Sequence, residues 1–202
     1  MTAHLRPAAV LIILFTLLLG VAMPLLFTSI AGVVVPFQAG GSLIERNGKM
    51  IGSALLGQNF TSEKYFQPRP SAITNPDPKD ATKTVPAPYD ATSSGASNLA
   101  PTSKALIDRV AEDVKKLGAV PVPDGRVPAD AVTTSASGLD PDISPQNAQA
   151  QLAGVAKARH LPEAMIAKLL AANTQEPWLG LIGERRVNVL RLNLALDALP
   201  PG

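Results

Sequence analysis

The sequence has no cysteine among its 202 residues, which excludes disulfide bonds and thiolate metal centres and leaves the compartment open. Histidine is nearly absent as well, with two in all. His4 precedes a long apolar run, so a folded domain has only His160 as an imidazole base. Aromatic residues amount to 4%, and past residue 37 they are Phe60, Tyr65, Phe66, Tyr89 and Trp178. Nucleic-acid binding needs a basic stripe with interleaved rings, and none is present. The net charge is +2; without the first 37 residues, which hold Arg6 and no acid, 17 basic face 16 acidic residues. No nucleic-acid partner is expected. The nucleotide loop G-x-x-x-x-G-K-[ST] is also missing, since Gly48-Lys49 runs on into Met50.

What the sequence does have is a long apolar run. Between Arg6 and Glu45 lie 38 residues without a formal charge, and Ala8 to Val35 is apolar apart from Thr16, Thr28 and Ser29. As a helix, that stretch would be about 42 Å long against roughly 30 Å of hydrocarbon, enough to cross with tilt. A cleaved signal is the competing reading, with Ser29-Ile30-Ala31 as its cleavage site, but the apolar run is nearly twice the length a signal core needs. Arg6 on one flank and Arg46 and Lys49 on the other leave the charge rule nearly silent on orientation. A short tail before a long domain fits an anchor that translocates its C-terminal part. The expected organisation is a cytoplasmic tail (1–7), a transmembrane anchor (8–37) and one small extracytoplasmic α+β domain (38–202). The membrane is then crossed once.

Glycines at 41, 48, 52 and 57 make residues 41–66 a region of short strands or bends. Six prolines between Gln67 and Asp90 exclude a helix or a central strand and predict an extended surface arm over 67–90. An amphipathic helix is expected over 102–117, with Leu106, Ile107, Val110, Val114 and Leu117 on one face and Gly118 at its end. Pro121, Pro123 and Pro128 then argue against regular structure. A second helix should start at Ser144-Pro145 and send Ala148, Leu152, Val155 and Ala156 to the core. A third should start at Pro162 and carry Met165, Ile166, Leu169 and Leu170. The alternation of Leu190, Leu192, Leu194 and Leu196 has the period of a half-buried strand.

A serine nucleophile in VTTSASGLDPDISP (132–145) would be Ser135 or Ser137, with His160 as base and Asp140 as orienting acid. Neither a G-x-S-x-G elbow nor S-x-x-K at a helix start accompanies them, so the hydrolase reading lacks a motif. The acids are scattered, and no metal site is expected. The amides of SSGASN (93–98) and SASG (135–138) suit an anion nest, but equally an ordinary turn. In the apolar run, Thr16, Gly20, Pro24, Thr28 and Gly32 recur every four residues as a row of small or polar side chains. Such a row lets another membrane helix approach closely, although similar rows also arise by chance.

In order along the chain come GSLI (41–44), IGSALLGQNF (51–60), YFQPRPSA (65–72), YD (89–90), SSGASNLAP (93–101), VTTSASGLDPDIS (132–144) and LGLIGERRVNVLRLNLALD (179–197). Behind an N-terminal anchor, this order resembles the C-subunit family of the bacterial high-affinity potassium-transporting ATPase, KdpC. The family-motif positions singled out are Tyr65, Phe66, Arg69, Pro70, Ser71, Ser135, Ser137, Gly138, Asp140, Asn188 and Asn193. Departures stand at Ala96, Ala100 and Arg185, where glycine or proline is usual in that pattern, and an unusual torsion at either alanine would be costly.

The resemblance implies a non-catalytic accessory subunit of a bacterial inner membrane, with no cofactor of its own. Its partners would be a channel-like potassium-binding subunit, a P-type subunit that hydrolyses ATP and a small single-span peptide. ATP and potassium ions would be handled by those partners, this chain acting as a catalytic chaperone that raises the P-type subunit's ATP affinity. The D-K-T-G phosphorylation sequence of such a subunit is missing here, the nearest run being KDATKTVP (79–86). An anchored sensor or ligand-binding domain is the rival reading.

Overall fold

The computed structural model describes residues 2–118 and 125–200. The chain forms two compact units, Met1–Ser53 and Ala54–Gly202.

In the first unit the expected apolar helix runs Leu5–Val34, long and apolar enough to cross a membrane. It consists of α1 (Leu5–Leu17), a wider π turn (Leu18–Ala22) and α2 (Met23–Val34). Pro24 explains the wide turn. It has no N–H for the Gly20 carbonyl and its ring crowds that oxygen, so the turn before it opens. One helical turn, α3 (Pro36–Ala39), comes next. After it stands a hairpin of β1 (Leu43–Arg46) and β2 (Lys49–Ser53), in which Arg46 pairs with Lys49. Between them Asn47 and Gly48 have φ of 54° and 74°, the left-handed pair that a two-residue hairpin turn needs.

The second unit begins with turns and bends, so the expectation of short strands or bends over 41–66 holds, with the strands ending at Ser53. The proline-rich arm is not uniformly extended. It folds into a hairpin of β3 (Thr74–Asp77) and β4 (Asp80–Pro86), with Pro76 opposite Thr84 and Thr74 opposite Pro86. A two-stranded ribbon consists only of edges, where proline is tolerated. Nor is the arm wholly on the surface, because Phe66 just before it and Ile73 within it are buried.

Helix α4 (Lys104–Leu117) has the expected span, and the Gly118 amide closes it on the Val114 carbonyl. None of its residues is buried, so its apolar face lies outside the core. Pro121 and Pro123 lie outside the described residues. Past Pro128 the chain makes one turn, α5 (Ala129–Val132), where irregular structure was expected.

The core gathers Phe66, Ile143, Leu152, Ile166, Val187, Leu192, Leu196 and their neighbours. It lies between a short antiparallel sheet and three helices. The sheet has the order β5 (Asp142–Ile143), β7 (Arg186–Asn188), β6 (Thr174–Gln175). The helices are α6 (Pro145–Arg159), α7 (Glu163–Asn173) and α8 (Val189–Asp197). The starts of α6 and α7 match expectation, and so do the buried faces of Ala148, Leu152, Val155 and Ala156 and of Ile166 and Leu170. Met165 is exposed.

The leucine-rich tail corrects the sequence reading: α8 is a helix, not a strand. Asn188 caps it by accepting from the Arg191 amide, and the buried Val189, Leu192, Asn193 and Leu196 fall at helical spacing. Leucines at alternate positions fit both periods over so short a run.

Two polar devices hold the unit together. At the start of α6, Ser144 accepts from the Asn147 amide at 3.0 Å and donates to Asp130 of α5 at 2.8 Å. The Ser144 amide also donates to Asp130, at 2.7 Å. In the core, Asn193 accepts from the Phe66 amide and donates to the Phe66 carbonyl, both at 2.9 Å. Ser144→Ala should cost about 1 kcal/mol or somewhat more of stability. Asn193→Ala should cost more, about 2–5 kcal/mol, because it leaves a buried N–H and a buried C=O unpaired. Urea unfolding of the full chain checks both; equal losses would refute the ranking.

Candidate functional site

The segment 65–72 is stitched to three other elements, residue by residue. Tyr65 lies beneath the Arg159 guanidinium, 4.8 Å from its ring centroid, and donates to Asp197 at 3.1 Å. Phe66 is held by Asn193 of α8. Gln67 is held the same way by Gln151 of α6, which accepts from its amide at 2.7 Å and donates to its carbonyl at 3.1 Å. Pro70 keeps the preceding residue extended. Arg69 reaches Asp140 at 2.9 Å, with both side chains about three-quarters covered. Ser71 donates to the Gly138 carbonyl at 2.8 Å.

The loop 133–140 is the other half of the cluster. The Ser135 hydroxyl is buried and accepts from the Gly138 amide at 2.9 Å, and the Ser137 hydroxyl accepts from Leu139 at 3.1 Å. The Gly95 amide of SSGASN donates to the Ser137 carbonyl at 2.9 Å, and Ser94 adds a bond to the same oxygen. Gly138 has φ of 69°, and a Cβ there would stand 2.5 Å from Ile73 Cγ1. A Cβ on Gly57 would meet the Tyr89 ring at 2.3 Å. The Tyr89 hydroxyl donates to the Arg69 carbonyl at 2.8 Å. Burial, assisted by the Asp140 charge, pushes its ionisation well above the ordinary tyrosine range.

Beside Arg69 and Asp140 an open cleft of about 420 Å³ is lined by Asp130, Asp142, Ser144 and Arg186, among others. Burial raises the Asp142 pKa, with Asp140 adding to the rise, while Asn188 and Arg186 oppose it. Among the described residues no three histidine or acidic side chains come close enough to hold a metal ion.

The match to known proteins covers this whole arrangement. The family model described as K+-transporting ATPase, c chain (KdpC), matches residues 5–198. A Bradyrhizobium diazoefficiens protein named potassium-transporting ATPase KdpC subunit is 60% identical over 98% of both chains. Proteins of the same name from Methylobacterium nodulans and Rhodopseudomonas palustris are 59% identical over 98% and 56% identical over 100% of both chains. The chain belongs to the KdpC family.

Motifs of the KdpC pattern that lie far apart in sequence thus meet in space. Tyr65 to Ser71, Tyr89, Ser94, Gly95 and the 133–140 loop form one network, while Asn188 stands at its edge, donating to the Ala54 carbonyl at 2.9 Å and to Asp142 at 3.2 Å. Neither Ala96 nor Ala100 is left-handed; that torsion falls on Asn98, at 51°. The serine-nucleophile reading finds no support in the geometry. Asp140 binds Arg69 and the Asp142 amide, and no hydrogen bond among the described residues joins His160 to Ser135, Ser137 or Asp140. His160 ends α6 in a left-handed conformation, φ 56°.

Sequence reasoning missed Gln151, Asp130 and Gly57. Proline at 145 flagged a helix start, but nothing local marked Asp130 as the partner of its cap. Gly138→Ala should cost about 1–3 kcal/mol through its left-handed torsion and the clash with Ile73, read as a lower unfolding midpoint. Stability should also fall as pH rises through and beyond the ordinary tyrosine range, because the unfolded chain releases its tyrosine proton first. Tyr89→Phe should flatten that fall in unfolding measured against pH; an unchanged slope would contradict the assignment.

Proposed function

We propose that this chain is a non-catalytic accessory subunit of an ATP-driven potassium importer, anchored by Leu5–Val34 with its second unit outside the cytoplasm. In this reading a channel-like subunit carries the ion, a P-type subunit hydrolyses ATP, and a small single-span peptide stabilises the assembly. The observation that carries it is how the motif side chains are used. Ser71, Ser135, Ser137, Asp140, Asn188 and Asn193 all bind backbone groups of their own chain. A network of that kind makes a rigid head that braces neighbours rather than converting a molecule. The relatives' shared name, potassium-transporting ATPase KdpC subunit, supports the assembly.

A head outside the membrane cannot touch cytoplasmic nucleotide. Its effect on ATP affinity, the catalytic-chaperone role, then passes through the span as a coupling free energy of about 1–3 kcal/mol between conformations. The row Thr16, Gly20, Pro24, Thr28 and Gly32 is the contact we assign to the channel-like subunit's helices, with the head over that subunit's outer mouth. The row is exposed along its length. A spacing of four overshoots an α-turn of 3.6 residues, so the wide turn at Leu18–Ala22 takes back part of the row's drift.

Beyond the local helix backbone, nothing of this chain lies within 4 Å of a Cβ added at Gly20 or Gly32. Isoleucine there leaves the subunit's own packing intact, so any effect reports on a partner. Gly20→Ile and Gly32→Ile should release the subunit from detergent-purified complex, whereas undiminished co-purification would count against the docking row. Ser137→Ala should leave ATP-driven uptake intact, and lost turnover in a normally assembled complex would return the serine loop to a catalytic role.

A further inference from the structure

The connection between β6 and β7 presents a cluster of bare apolar side chains to solvent. Trp178, Leu179, Leu181 and Ile182 are 66%, 74%, 87% and 62% exposed. No charge lies between Glu176 and Glu184. A tip of this kind marks a contact with something apolar.

Its backbone says which kind. Trp178 and Ile182 exchange amide–carbonyl bonds at 2.9 and 3.0 Å, Gly180 donates to the Pro177 carbonyl at 2.9 Å, and Leu181 donates to the Trp178 carbonyl at 3.1 Å. Leu179 and Gly180 take left-handed φ of 53° and 71° to make the turn. Four of the five amides from Trp178 to Ile182 are thus satisfied internally, which lowers the cost of taking the tip out of water. Arg185 pairs with Glu176 at 2.9 Å at the base, leaving a polar collar below the apolar tip.

The chain also keeps lipid close. Asn188 of β7, six residues past Ile182, holds the carbonyl of Ala54, the first residue of the second unit. Ala54 lies 20 residues past Val34, the last residue of the apolar helix, a tether of at most about 70 Å. The tip can therefore reach the bilayer of its own anchor without a separate encounter. We propose that the tip Trp178–Ile182 is a membrane-dipping loop that seats in the interfacial layer of that bilayer, about 5–10 Å deep. Tryptophan is the residue that prefers this layer. The inference rests on the membrane anchor and not on the assembly role.

Trp178 is the chain's one tryptophan, so its emission reports on the tip alone. The full-length chain, reconstituted without partners in phosphatidylcholine vesicles, should emit to the blue of a water-exposed indole and resist iodide. Bromine on the acyl chains should quench that emission. The double variant Leu179→Asp, Leu181→Asp should return the emission to the red and make it sensitive to iodide, with an unchanged far-ultraviolet circular dichroism spectrum. A wild-type tip that emits as in water and ignores bromine overturns the proposal. If the aspartate variant then also fails to co-purify with its complex, the tip is a protein-docking knob. If it co-purifies normally, the tip has neither role.

Discussion

The backbone of Phe66 and Gln67 crosses the second unit where no strand is available to pair with it, and two side-chain amides take a strand's place. Asn193 binds both polar groups of Phe66, and Gln151 both of Gln67. Burying a peptide group without partners costs enough that the Phe66 ring could not otherwise stay in the core. The clamp joins the first part of the chain to α6 and α8, and the residues just beyond it inherit their positions. Arg69 then stands opposite Asp140, and Ser71 opposite Gly138.

From that fixed segment a layer of polar contacts spreads over the loop 133–140. Its hydroxyls accept from its own amides, its carbonyls accept from Ser71, Ser94 and Gly95, and its carboxylate binds Arg69. Glycine at 138 and 57 gives room where Ile73 and Tyr89 press against the backbone. Together these bonds tie the loop 133–140 to the segment 65–72 and to SSGASN.

Much of this was legible in the sequence where the signal is local. An uncharged run announces a helix for the bilayer, Ser144-Pro145 announces a helix start, and the motifs in their order announce the family. Asn47-Gly48 was an equally local hairpin signal that the reading of scattered glycines passed over. Legibility ended where two periods coincide, as at Leu190 to Leu196, and where the proline-rich arm, read as extended, gave no sign that it would pair with itself as the edge strands β3 and β4. It also ended at long range. Phe66 and Asn193 are 127 residues apart, and nothing near either one names the other.

The sequence by itself determined the long apolar helix, the chain's family and the starts of α6 and α7, because hydrophobic run length, capping chemistry and motif order act over a few residues. Only the tertiary structure decided that α8 is a helix, that the motif serines and Asp140 serve the scaffold, and that Trp178 to Ile182 stay outside the core. Those outcomes turn on which distant groups satisfy a buried amide or cover an apolar surface. That choice is made by packing, after local preferences have been met.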